Sequence, residues 1–128
     1  MEILKFSIDH TKLKDLKQII ATDAPFPHGS GWRAKTIRGG KMTIYVNRIE
    51  NLVIKAPACL IGDETPGITL PTIPLGNGWV VQPLCTFEDR SEAYKELAER
   101  IGPDPYLKFD FHIANVGRWK TLPFLYDW

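Results

Sequence analysis

Prolines and glycines are spaced so closely through the middle of this chain that no long helix fits there. Pro57, Gly62, Pro66, Gly67, Pro71, Pro74, Gly76 and Gly78 follow one another within residues 57–78. Each proline removes a backbone donor and clashes with the turn before it, and each glycine adds an entropic cost to a helix. Only short extended segments fit between such breakers, and 68–70 and 79–81 are the expected strands. Helices are thereby pushed to the flanks of the chain.

Two flanking segments have helical periodicity. After Asp9 as N-cap, residues 11–21 carry Leu13, Leu16 and Ile20 on one face. Residues 87–101 carry Tyr94, Leu97, Ala98 and Ile101 on one stripe, with Thr86 as the expected cap and Asp89 as its capping-box partner. Gly102-Pro103 is the stop. Alternation predicts a strand over 4–8, and 23–31, with Pro25, Pro27, Gly29 and Gly31, reads as a loop. Trp32–Ile37 and Met42–Val46 read as two strands joined by a hairpin turn at Arg38-Gly39-Gly40-Lys41. Asn51–Ala56 reads as a further, mostly buried strand, and Val116 with Leu122–Tyr126 as a closing pair. The order of elements predicts an α+β fold.

The length of 128 residues suits one domain with a real core. A net charge of +1 gives no global reason to expect a nucleic-acid or membrane partner. The short basic stretches Arg33-Ala34-Lys35 and Arg38-Gly39-Gly40-Lys41 read as solvated surface. No apolar run approaches the ~20 residues of a membrane span. The N-terminus lacks the basic start and apolar run of a signal peptide. Cys59 and Cys85 lie beside apolar runs without metal-type spacing, and buried free thiols in a reducing cytoplasm are expected.

The chemistry-bearing residues concentrate in Phe109-Asp110-Phe111-His112-Ile113-Ala114-Asn115-Val116-Gly117, followed by Pro123-Phe124-Leu125-Tyr126-Asp127-Trp128. Phosphoryl transfer requires such a set. One carboxylate orients or deprotonates the attacking hydroxyl, while an Asn and a second carboxylate hold Mg²⁺ against the phosphates. Hard oxygen ligands suit that ion. The segment resembles the catalytic loop Asp-x-x-x-x-Asn of protein kinases and their later metal-binding Asp. Its form is similar to that of aminoglycoside-phosphotransferase-like, HipA-type and small phage-encoded kinases. The resemblance implies Asp110 as catalytic base and Asn115 and Asp127 as Mg²⁺ ligands, with His112 in a loop or phosphate-contacting role.

Upstream residues extend the resemblance. Gly29-Ser30-Gly31-Trp32-Arg33-Ala34 is similar to a Gly-rich nucleotide loop, and Val53-Ile54-Lys55 to the strand whose Lys contacts the ATP α- and β-phosphates. Gly76–Leu84 looks like the fifth strand running into the hinge, where backbone groups near Gln82 and Leu84 would meet adenine. The implied division is a kinase-like domain over 1–128, with 1–81 N-lobe-like, 82–86 hinge-like and 87–128 a vestigial C-lobe. Residues 56–78 do not suit the helix that supplies a Glu to pair with the lysine, and Glu64 is the only Glu there. The chain ends one residue after Asp127, without an activation segment.

Two functions follow from the resemblance. One is an ATP- and Mg²⁺-dependent kinase acting on a protein or small-molecule hydroxyl. The other is a catalytically inactive, pseudokinase-like interaction module that inhibits or redirects a partner protein, with Trp119 and Trp128 as interface anchors. Either would work in the cytoplasm, the host's if the protein is phage-encoded.

Overall fold

A computed structural model describes residues 6–22, 26, 28–35, 43–56, 68–102 and 116–126. The described elements are α1 (His10–Thr22), β1 (Trp32–Lys35), β2 (Thr43–Asn47), β3 (Leu52–Ala56), β4 (Ile73–Gly76), β5 (Trp79–Pro83), α2 (Arg90–Ile101), β6 (Val116–Trp119) and β7 (Leu122–Leu125). The fold is α+β, as the order of elements predicts. The chain divides into two compact units, with one boundary between Leu84 and Cys85.

The first unit holds α1 and an antiparallel sheet of order β1-β2-β3-β5-β4. The stripe of α1 is realised: Leu16 is buried, and Leu13 and Ile20 pack around it with Leu52, Ile54, Leu75 and Val81. The main-chain amide of Leu13 donates to the Asp9 carbonyl, so α1 starts where the cap was expected. At the other end the Thr22 hydroxyl donates to the Gln18 carbonyl. Residues 6–8 form no strand, contrary to their alternation; Phe6 and Ile8 serve as apolar cover for the α1 core. Phe26, Trp32, Tyr45 and Trp79 add an aromatic row, with Phe26 5.2 Å from Trp32 and 4.9 Å from Tyr45.

Residues directly opposite in an antiparallel pair share a face. Ile54 faces Tyr45 and Val81, which places these three toward α1. Val53 faces Val46 and Gln82, and Lys55 faces Ile44 and Val80, on the other side of the sheet. Val53 and Ile54 are fully buried, so both sides of β3 are covered. β4 occupies an edge, where Pro74 is tolerated because its missing N–H breaks no inner ladder; the register shifts between Pro74 and Gly76. Asn77 (φ 53°) and Gly78 (φ 79°) form the two-residue turn into β5, as the Asn-Gly pair favours.

The second unit holds α2 and the β6–β7 hairpin. Leu97, Ala93, Val116 and Leu125 form one buried cluster, and Leu70, Cys85, Phe124 and Tyr126 another. Trp119 is half-buried against Phe124, 5.9 Å between rings, and so acts as cover for that core. Residues 68–70 form a single parallel bridge at Thr69↔Leu125 where a strand was expected. The Leu70 amide donates to the Leu125 carbonyl and the Leu125 amide to that of Ile68. On the other side of the hairpin, Thr86 and Arg118 exchange main-chain hydrogen bonds of 2.8 and 2.9 Å.

That exchange moves the start of α2. Thr86 is engaged with Arg118, and the helix begins only at Arg90, with Asp89 at the N-cap. The Asp89 carboxylate makes no capping bond, because both its oxygens accept from Arg118 Nε at 2.8 and 2.9 Å. Arg118 also donates to Glu96 and to the Thr121 carbonyl. The Glu96 hydrogen bond, with those of Asp89, raises the guanidinium's already high pKa. Gly102, at φ 66°, ends the helix, its amide donating to the Ala98 carbonyl.

Candidate functional site

Lys55 lies in β3, an inner strand of the sheet. It is 3% exposed, on the face opposite α1. Its neighbours across the sheet are Ile44 and Val80, both apolar and buried. An ammonium held in such surroundings is costly unless other groups compensate it. A lysine at a strand end reads most simply as surface; the sheet's parity and cover put this one inside.

Gln82 stands on the same face, one strand over. It is 6% exposed and opposite Val53. Its Nε2 donates to Thr72 Oγ1 at 2.8 Å, while its Oε1 is buried with no hydrogen-bond partner. Such an orphaned acceptor is rare inside a protein. The next expected hinge residue, Leu84, donates its main-chain amide to the Asn51 carbonyl at 2.9 Å. That donor is therefore engaged within the fold.

Gly29, Ser30 and Gly31 form a turn that leads into β1, and the last three residues of the Gly-x-Gly-x-x-Gly-like motif are strand. The loop has a structural explanation of its own. Asn47, fully buried, donates Nδ2 to the Ser30 carbonyl at 3.0 Å, and its Oδ1 accepts from the Ile49 and Glu50 amides, each at 3.0 Å. Gly31 has φ +91°, and a Cβ there would stand 2.9 Å from Asn47 Oδ1 and from Ile49 Cδ1. Close approach to Asn47 is thus what the glycine provides.

The catalytic-loop residues Asp110, His112 and Asn115, and Asp127, lie outside the described residues, as do Glu64, Cys59 and Trp128. Cys85 is buried and in no disulfide, as expected. Among the described residues no group of three His, Cys, Asp or Glu could hold a metal ion. No described helix is long and apolar enough to cross a membrane.

One feature had no signal in the motif pattern. A cavity of about 540 Å³ runs beside Gly31, Arg33, Ala34, Lys35, Val46, Arg48 and Ile49. Arg33 and Lys35 come from a stretch read as ordinary solvated surface; only the fold brings Arg48 beside them.

Comparison of the chain with protein families, with curated proteins and with solved structures returns no match.

Proposed function

We propose that the chain is a kinase-like protein that binds ATP with Mg²⁺ and transfers phosphate to a hydroxyl of a protein or small molecule. The observation that carries this is the burial of Lys55 on the third strand of the five-stranded sheet. Buried lysines are expensive and concentrate at functional sites. In the kinases that the sequence resembles, the third-strand lysine meets the α- and β-phosphates. The adjacent β5 leads to the unit boundary at Leu84 and Cys85, where that resemblance puts a hinge. The unpartnered Gln82 Oε1, on the face of Lys55, is a buried acceptor suited to a donor group of a ligand.

In this proposal Lys55 neutralises phosphate charge, Asp110 takes the proton of the attacking hydroxyl, and Asn115 and Asp127 hold Mg²⁺. Mg²⁺ held by Asn115 and Asp127 would supply neutralisation of the charge that develops on transfer. Gly29–Gly31 contributes little support, since Asn47 accounts for its backbone.

The test is the melting temperature with ATP, with and without Mg²⁺. A Mg²⁺-dependent rise is expected, and no rise at millimolar nucleotide overturns the proposal. Asp110→Ala should then keep the rise and lose phosphate transfer.

A further inference from the structure

Arg33 of β1 stands opposite Val46 of β2, so the two share the side of the sheet that faces away from α1. Lys55 belongs to the same side. Arg33, Val46 and Arg48 all line the cavity of about 540 Å³. That volume falls within the roughly 300–1,000 Å³ of small-ligand sites.

The lining carries charge of one sign. Arg33 and Arg48 are exposed, and neither guanidinium has a hydrogen-bond or ion-pair partner among the described residues. Lys35, the third cation on the lining, is engaged within the fold, which leaves the two arginines. None of the described lining residues is acidic, and Glu50, next in sequence to Ile49, is paired with Lys12. Like charges gathered on one cavity repel each other, and a bound anion removes that cost. A guanidinium offers a planar fork of N–H donors that matches phosphate oxygens, and two such forks suit an anion with more than one phosphate group.

We infer that this cavity binds an oligophosphate through the side chains of Arg33 and Arg48. It shares Gly31, Arg33 and Ala34 with the stretch that resembles a nucleotide loop. The oligophosphate is accordingly the phosphate tail of the proposed ATP or a free one, held by the same two side chains. Only the first of these sources depends on the proposed nucleotide function.

The test is isothermal titration of the full chain with sodium tripolyphosphate. Binding is expected, weakening as ionic strength rises. Arg33→Gln and Arg48→Gln should each weaken it roughly tenfold. Both should leave the melting temperature of the free chain unchanged, since neither side chain has a partner to lose among the described residues. Lys17→Gln, an equal loss of charge at an exposed position of α1, should leave the binding as it is. Absence of binding at millimolar tripolyphosphate overturns the inference. A loss with Lys17→Gln as large as with the arginine variants also overturns it, since net charge alone would then attract the anion. Titration with ATP assigns the source. ATP binding weakened by the same two arginine substitutions supports the site as the seat of the nucleotide's phosphates. Tripolyphosphate binding that needs both arginines, with ATP unbound or bound equally by the variants, supports a free oligophosphate. Where ATP does not bind at all, the nucleotide function falls and the oligophosphate site stands.

Discussion

The side-chain amide of Asn47 donates to the carbonyl of Ser30, seventeen residues upstream, at 3.0 Å. With Oδ1 accepting from Ile49 and Glu50, one buried side chain ties the loop before β1 to the turn after β2. Asn47→Ala should cost roughly 1–3 kcal/mol in chemical denaturation, as three part-buried main-chain groups lose a partner. Gly31→Ala should cost roughly 1–3 kcal/mol, because a Cβ meets both Asn47 and Ile49 and φ is +91°. Gly29→Ala should cost less, about 1 kcal/mol, since only its φ of +81° opposes a side chain.

Gly117 and Cys85 make a second close contact, which separates sterics from backbone conformation. A Cβ on Gly117 would stand 2.5 Å from Cys85 Sγ and 3.0 Å from Phe87. Gly117→Ala should lower stability by roughly 1–3 kcal/mol. Combining it with Cys85→Ala should recover part of that loss, giving a non-additive double-mutant cycle. Strict additivity would show that the contact does not set the cost.

Tyr126 gives the alkaline limit. Burial raises its pKa, against the opposing effect of Arg90, which donates to the phenol oxygen at 2.6 Å. A raised folded value means that the native state holds the proton more tightly than the unfolded chain. The stabilisation is complete below the ordinary phenol value of about 10 and is lost as pH rises from there through the folded value. Denaturation midpoints followed across that range should fall in the wild type. Tyr126→Phe should flatten the fall, while lowering stability at neutral pH through loss of the Arg90 hydrogen bond.

The two hairpin turns can be set against each other. Asn77-Gly78 uses residues suited to positive φ, whereas Lys120 (φ 49°) and Thr121 (φ 69°) occupy the same kind of turn between β6 and β7. A β-branched residue in that region is strained. Thr121→Gly should raise stability by about 1 kcal/mol, read from thermal or denaturant unfolding. It should leave the bond from Arg118 to the residue 121 carbonyl in place, because that acceptor is main chain.

Lys55 tests the proposed nucleotide site. Lys55→Met keeps the aliphatic length of the side chain within the apolar surroundings of Ile44 and Val80. The variant's melting temperature without nucleotide is the reference for the comparison, since Lys55→Met also removes the contacts that its ammonium makes within the fold. Against that reference the variant should lose the Mg²⁺-dependent rise in melting temperature with ATP. A fully retained rise would remove Lys55 from the site.

What could be read from the sequence was local. The α1 stripe of Leu13, Leu16 and Ile20 and the apolar run of β3 carry their own periodicity, and Gly102 ends α2 through its own backbone freedom. Where the reading missed, a distant partner had intervened. Thr86 left the α2 cap because Arg118 engages its main chain, and β4 formed despite Pro74 because it took an edge. Asp110, Asn115 and Asp127 lie outside the described residues, and their roles rest on the resemblance and the proposal alone. The tertiary structure alone decided that Lys55 is buried, that Gly31 packs closely against Asn47, and that Arg48 joins Arg33 and Lys35 beside one cavity. Burial and cross-strand adjacency depend on which strands pair and in what register, and a linear order of residues does not contain that.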